Sequence, residues 1–371
     1  MNRYQATVEE LILPAGIHLN GTDDFDIHVY DDRFYSHVLR HGSLGLGESY
    51  MKGWWSCKEL DTFLYRLLTI NLEKRVQHSL RLKWHILKAR IFNLQSRTRA
   101  VAVAKKHYNI GNELFEQMLD KYMMYSCAYW TKADTLEQAQ EDKLDLICRK
   151  LKLGRGMDVL DIGCGWGGFA QFAAEKYQVR VTGVTISTEQ AALAKQRCAG
   201  LPVTILTADY RKLSGSFDRV VSIGMFEHVG YKNYGTFMDV VKHCLRKDGL
   251  FLLHCIGSDE VGVHTDPWID RYIFPNGMMP SSSQITKAAE AHFTLQDWHN
   301  FGLYYDRTLL EWLKRFRNSW GRLKHHYDDQ FYRMWEYYLC ISAASFRAHK
   351  NNLWQIVYSH PDYPEVYTGS R

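Results

Sequence analysis

The sequence predicts an α/β protein: a doubly wound parallel sheet preceded by a small α+β N-terminal domain. Three observations predict it. From about residue 107 onward, short apolar runs alternate with helical patterns, as expected when parallel strands are joined by helical crossovers. The first of those runs ends in a glycine-rich turn, Gly163-Cys164-Gly165-Trp166-Gly167-Gly168, that opens a helix. The stretch 74–112 carries ten Lys/Arg and no Asp or Glu, a break in composition that separates the two parts.

In the N-terminal part, residues 25–30 alternate like a short strand and 59–72 read as a helix. Within the basic stretch, Leu80, Trp84, Leu87, Ile91 and Leu94 share one helical face, and Arg81, His85 and Lys88 share another. A basic amphipathic helix with an embedded Trp suits an anionic lipid surface, where each Lys or Arg contributes about 1 kcal/mol. The plainer alternative is an interdomain helix whose apolar stripe packs inside. Strands are expected at 157–163, 179–186, 203–208, 217–223 and 250–256, and helices at 168–177, 188–198 and 234–245. In such a sheet the ligand sits at the C-terminal ends of the strands, which is where the glycine turn falls.

With 371 residues, 46% of them apolar, the chain has room for one large or two ordinary domains. A net charge of +5 is too small to imply a nucleic-acid partner. Eight scattered cysteines without a C-x-x-C pair argue against a disulfide framework and fit a reduced, cytoplasmic protein. No charged-then-apolar leader opens the sequence, and no apolar run reaches the ~20 residues that span a bilayer. The 11 Trp and 23 Tyr imply either a Tyr-rich core or a lipid-facing or cation-binding site.

Glycines at a strand end let backbone approach a ligand, and the following helix offers unpaired N–H groups. The turn also satisfies the dinucleotide pattern G-x-G-x-x-G, but that site needs an acid about 20 residues on to hold the ribose. The tip of the next strand carries Thr185 and Ser187, with an acid only at Glu189. Asp161, immediately before the glycines, instead favours S-adenosylmethionine, whose ammonium group needs a carboxylate or carbonyl. On that reading Gly163, Gly165 and Gly167 give the close approach, and Asp161 faces the amino end. Thr185, Ser187 and Gln190 are placed for ribose hydroxyls. Asp209, after the third strand, accepts from the adenine amino group or is a simple turn residue.

Three strand-end segments converge on the same side of the sheet: 222–230 with Glu227 and His228 at its tip, 252–257 with His254, and 300–306. An aromatic loop, 122–130, surrounds Cys127. His254 is a core histidine or, since its strand end faces the expected cofactor, a catalytic one. Cys127 reads equally well as a small buried hydrophobe. No Cys/His pair has metal-ligand spacing.

The chain resembles the cyclopropane fatty acid synthases, mycolic acid cyclopropane synthases included. The matching runs are HYNIGN (107–112), YSCAYW (125–130), LDIGCGWGG (160–168), GMFEHVG (224–230), LHCIG (253–257) and DPWIDRYIFPNG (266–277). Together they cover nearly all of 105–365, and the preceding module resembles the N-terminal domain of the longer, phospholipid-acting bacterial members. The resemblance implies a lipid-binding accessory domain at 1–95, a basic linker at 96–106 and a Rossmann-like class I methyltransferase domain at 107–371. It implies methyl transfer from S-adenosylmethionine to a cis double bond of an unsaturated phospholipid acyl chain. Attack of the alkene on the sulfonium methyl leaves a carbocation; a base removes a proton from the new methyl group, and the ring closes.

In this family bound bicarbonate is taken to be that base. The residues matching its binding pattern are Cys127, Glu227, His254, Ile256 through its backbone, and Tyr305. The cofactor residues carried over are Tyr125, Ser126, Gly163, Gly165, residues 185–190, and Asp209 with Tyr210. A homodimer is implied, as is a cytoplasmic protein held peripherally on the inner face of the cell membrane by anionic phospholipid. Many relatives have a cysteine where this chain has Ser342, with Cys340 two residues earlier, so a covalent role for cysteine there has no support. The residues suit the chemistry, since a carbocation needs a dry pocket and π-faces such as Tyr129, Trp130 or Phe226. Methyl or methylene branching of the chain would keep the cofactor and change the product. N-methylation would need no bicarbonate site, and a non-catalytic lipid-surface protein would not need Glu227, His254 and Tyr305.

Overall fold

The computed structural model describes residues 3–70, 111–262 and 265–371; the basic amphipathic face at 80–94 and most of the run 107–112 lie outside the described residues. The described chain forms two compact units, and neither is a single stretch of sequence. One joins the N-terminal residues to 265–275 and to Tyr305–Asn351; the other contains the rest.

In the first unit, the expected strand at 25–30 contracts to a two-residue β1 (His28–Val29), antiparallel to β2 (Trp55–Ser56). The cause is Asp26, which turns inward and accepts from the His18 and Asp23 amides at 2.7 and 3.0 Å, so side-chain bonds replace a ladder. The helix expected at 59–72 forms over Leu60–Thr69 and buries Leu60, Phe63, Leu64 and Leu67 on one face. Helix Ser43–Met51 passes against Trp268: a Cβ on Gly47 would stand 2.4 Å from the indole. Helices Leu303–Leu323 and Asp329–Arg347 add Trp312 and Trp335, both fully buried. Glu336 is closed in by Tyr50, donating at 2.6 Å, and Arg317, donating at 2.8 Å. Arg347 bridges Asp306 and Asp61, each at 2.9 Å. Much of the aromatic content in this unit is therefore core.

The second unit is built on a seven-stranded sheet in the order β5-β4-β3-β6-β7-β9-β8. Its strands are β3 (Asp158–Ile162), β4 (Arg180–Thr185), β5 (Val203–Thr207), β6 (Phe217–Ile223), β7 (Leu245–Gly257), β8 (Thr294–Asn300) and β9 (Asn352–Ser359). β3 to β7 run parallel, as the apolar runs predict. The crossover helices Gly168–Tyr177, Thr188–Arg197 and Tyr234–Cys244 form where they were expected. β8 and β9 were not foreseen. They continue the sheet antiparallel from β7, so the sheet is mixed rather than wholly parallel. β7 also starts at Leu245 rather than 250, directly from the preceding helix.

Period-two alternation assigns the two faces. Leu160, Val220, Phe251, Leu253, Cys255, Trp354 and Ile356 pack on one side, with Phe226 and Phe237. Val159, Val221, Leu250, Leu252 and Val357 pack on the other, with Leu144, Ile147 and Cys148 of the helix Leu136–Lys150. Asp161, His254 and Gln355 stand at alternate positions to this second set, so they share the face covered by that helix.

Candidate active site

At the end of β3, Gly163, Gly165 and Gly167 adopt φ of +87°, +53° and +80°, and the helix Gly168–Tyr177 begins at once. Neighbouring glycines are held by packing: a Cβ on Gly168 would fall 2.0 Å from the Tyr122 carbonyl. Gly165 differs. No heavy atom lies within 4 Å of where its Cβ would be, so its bare backbone borders open space in front of a helix N-terminus, the setting a ligand needs.

Asp161 is 2% exposed, and its Oδ2 has no hydrogen-bond partner. Burial pushes its carboxyl up to about 7, opposed by the Lys143 charge. Lys143, on the helix Leu136–Lys150, is fully buried and donates to Ser126 Oγ at 2.9 Å. Burial lowers it to about 8, while Asp120, Cys127 and Asp161 raise it. One turn earlier, Gln140 Nε2 donates to the carbonyls of Ser126 and Met124 at 2.9 and 3.3 Å. This one helical face, at i and i+3, therefore pins the loop that carries Tyr125, Ser126 and Cys127. The Cys127 thiol is completely buried and donates to the Ala128 carbonyl. The Tyr125 ring meets Phe115 edge-on at 5.2 Å.

At the tip of β4, the residues expected to hold ribose first hold one another. The Thr185 hydroxyl donates to Gln190 Oε1 at 3.0 Å and accepts from the Ser187 amide at 3.2 Å. Ser187 is the N-cap of the next helix, accepting from the Gln190 amide. After β5, Asp209 caps a short turn and takes Arg211 Nε and Nη2 at 2.8 and 2.6 Å. Tyr210 next to it is partly buried, its ring edge on Phe237, and its hydroxyl is pushed up to about 12 by burial.

After β6 and along β7 lie the groups suited to proton transfer. Glu227 Oε1 accepts from the Ile256 N–H at 2.7 Å, while Oε2 is sealed from solvent without a partner. The Ile256 amide, which the resemblance puts against an anion, is thus already committed to Glu227. The Glu227 carbonyl is fixed by the Met278 amide at 2.9 Å, and burial pushes the carboxyl up to about 7. His254 is 1% exposed; burial first, then the Lys143 and Lys150 charges, hold it well below the usual imidazole range and so neutral. Its Nε2 is sealed and has no partner, and Nδ1 faces Gln355 Nε2 at 3.4 Å. Neighbouring His228 is also depressed by burial, to about 4.

Phe301 stands 6.0 Å from the His254 ring and 5.3 Å from Tyr129. Phe301 is thus the ring beside the histidine, with Tyr129 packed on Phe301 in turn, whereas Phe226 is spent on the core, stacked on Tyr234 at 4.3 Å. Tyr305 belongs to the first unit, in the opening turn of Leu303–Leu323, with its ring 4.6 Å from that of Phe346. Among the described residues no cluster of His, Cys, Asp and Glu could hold a metal ion, and no helix is long and apolar enough to cross a membrane.

A buried polar atom without a partner costs about 1–3 kcal/mol. Asp161 Oδ2, Glu227 Oε2, His254 Nε2 and Gln355 Oε1 are four such atoms, the first three toward the C-terminal ends of β3, β6 and β7 and the last opposite His254 on β9. Native proteins retain such groups where a polar ligand completes them. Sequence reasoning missed Gln140, Lys143 and Gln355, and reached Phe301 only as part of the segment 300–306. The only trace it carried was a Gln inside the apolar run of β9.

Residues 95–356 match the family model described as mycolic acid cyclopropane synthetase. The cyclopropane-fatty-acyl-phospholipid synthase of Escherichia coli (strain K12) is 53% identical over 358 residues, 96% of this chain and 94% of that protein. A tuberculostearic acid methyltransferase of Mycobacterium tuberculosis is 35% identical over 85% of this chain and 79% of its own length. Among solved structures, a cyclopropane synthase from Mycobacterium tuberculosis superposes with a TM-score of 0.66 at 30% identity, covering 70% of this chain and 97% of that one. A mycolic acid cyclopropane synthase complexed with S-adenosylhomocysteine and CTAB gives a TM-score of 0.65 at 32% identity over the same shares. The chain belongs to the mycolic acid cyclopropane synthetase family, and it is an S-adenosylmethionine-dependent methyltransferase with the class I methyltransferase fold.

Proposed function

We propose that this enzyme adds a methylene group from S-adenosylmethionine across the cis double bond of an unsaturated phospholipid acyl chain, giving a cyclopropane ring. The observations that carry the reading are the sealed, partnerless Glu227 Oε2 and His254 Nε2, on the segments that follow β6 and close β7, in the same sheet whose β3 ends at the open face of Gly165. It is supported by 53% identity along almost the whole length of a protein with that activity in its name.

The residues present fit both groups the reaction requires. Open space over Gly165, with Asp161 behind it, suits a cofactor bearing an ammonium group. Sealed polar atoms on Glu227 and His254 suit a small oxyanion. When bound, bicarbonate supplies a base that takes the proton from the new methyl group without trapping the carbocation. Glu227 orients it, held in turn by the Ile256 amide, and His254 contacts its oxygens without carrying charge. Cys127 lines the site, and Tyr305 enters the proposal from the resemblance alone. The faces of Tyr129 and Phe301 stabilise positive charge while excluding water. Tyr125, Ser126, Thr185, Ser187, Gln190 and Tyr210 border the cofactor, with Asp209 acting through Arg211.

The N-terminal residues 1–95 and the basic linker 96–106 are assigned to docking on an anionic bilayer from the cytoplasmic side, as a homodimer. The acid-free run 74–112 supports that assignment. Mass spectrometry of lipids from cells expressing the chain tests the activity. Each unsaturated acyl chain should gain one methylene in mass and lose its double bond. A gain in mass with an added methyl branch, or none at all, would defeat the reading. Degassed assays should lose rate and regain it when bicarbonate is restored.

A further inference from the structure

We infer that Gln355 is a positioning residue that locks His254 as the Nε2–H tautomer, so that the ring presents a hydrogen-bond donor to an oxygen anion in the site. The inference deepens the proposed function and rests on it for the identity of the anion. Gln355 lies in the middle of β9, and its neighbours Leu353, Trp354, Ile356 and Val357 are all 3% exposed or less. It is itself fully buried. A strand packed this way has no packing use for an amide, which is costly to bury unless bonded. The antiparallel register sets it directly opposite His254 on β7, on the same face, close enough for side chains to meet. Its Nε2, which can only donate, stands 3.4 Å from His254 Nδ1.

A neutral imidazole has one donor and one acceptor. If Nδ1 accepts from Gln355, the proton sits on Nε2, the atom that is sealed and has no protein partner. An N–H there completes an anion oxygen, whereas a lone pair there would face it with like charge. On the far side of Gln355 the register brings His299 of β8 opposite it. That ring is treated the same way: Lys150 Nζ lies 3.2 Å from its Nδ1. The row therefore places a donor against Nδ1 of each histidine.

The test is a 15N–1H correlation spectrum of the full-length enzyme labelled at histidine, with His254 assigned by its loss in His254→Gln. The wild type should show the proton on Nε2 and a bare Nδ1, a result that does not depend on whether Gln355→Met folds. Gln355→Met keeps the volume and removes the donor. It should mix the two tautomers and lower kcat by about tenfold or more, the scale of removing an orienting partner from a functional histidine, with KM for S-adenosylmethionine little changed. A wild-type ring protonated on Nδ1 overturns the inference, as does a Gln355→Met enzyme with unaltered tautomer and kcat. An Nε2–H tautomer in an enzyme whose rate ignores bicarbonate upholds the role of Gln355 and removes the ion from the proposed function.

Discussion

Glu227→Gln changes one functional atom, and its effects on rate and on stability should have opposite signs. Oε1 can go on accepting from the Ile256 amide, at 2.7 Å in the wild type, so the β6–β7 connection should hold. The sealed Oε2 becomes an amide nitrogen, and the site loses its carboxylate. Without the carboxylate that orients it, the base should forfeit what a positioned acid–base group contributes, about 100-fold or more, so kcat should fall at least about 100-fold, ~2.7 kcal/mol in barrier. Affinity for S-adenosylmethionine should stay within about threefold, because the step affected follows docking. Stability moves the other way. Burial raises Glu227 from the ordinary 4.5 to about 7, so the folded state holds this proton more tightly than the unfolded one. The stability that Glu227 itself contributes is therefore fully present below pH 4.5 and is lost as pH climbs through 7, ~3 kcal/mol in all. The variant does not titrate there. Its thermal midpoint should exceed that of the wild type at about pH 8.5 by clearly more than at about pH 5. The assays are release of S-adenosylhomocysteine on vesicles of unsaturated phospholipid, and scanning calorimetry at both pH values. Turnover within threefold of wild type (about 0.7 kcal/mol), or a midpoint difference independent of pH, would refute the reasoning.

Three further outcomes are expected. Gly165→Val forces a β-branched residue to φ +53° and fills the open space before the helix; it should cost ~1–2 kcal/mol in stability and abolish cofactor binding by calorimetric titration, and unchanged affinity in the folded variant would move the site elsewhere. Lys143→Met keeps the length of the side chain but strips Ser126 of its donor and Asp161 of its counter-charge. It should destabilise by ~3 kcal/mol, as when one partner of a buried charged group is lost, and weaken cofactor binding; an unaltered denaturation midpoint with unaltered affinity would contradict that. Charge reversal at Arg81, Lys83, Lys88 and Arg90 should weaken sedimentation with anionic vesicles, most at low salt where attraction is least screened. Equal sedimentation would remove lipid docking from that stretch.

Features that depend on neighbours in sequence were legible from the residues alone. The glycine turn at 163–168 announces itself because positive φ and a strand-to-helix reversal need glycine locally. The parallel strands β3 to β7 are apolar runs bounded by turns, and the helices between them keep their period. Glu227 and His254 stood out because polar groups at the ends of apolar strands are visible in one dimension. Contacts were not. The Thr185, Ser187 and Gln190 cluster bonds within itself, and Asp209 holds Arg211, pairings that spacing in the sequence does not announce. β9 reaches β7 from almost a hundred residues away, and no local pattern encodes such pairing. Nothing in the sequence singled out Lys143 or Gln355. Only the packing of the helix Leu136–Lys150 over the strand ends, and the register of β9 on β7, turns the first into a buried cation and the second into the partner of His254. Burial removes the water that would otherwise satisfy these groups, so what each one does is decided by whatever tertiary structure puts beside it.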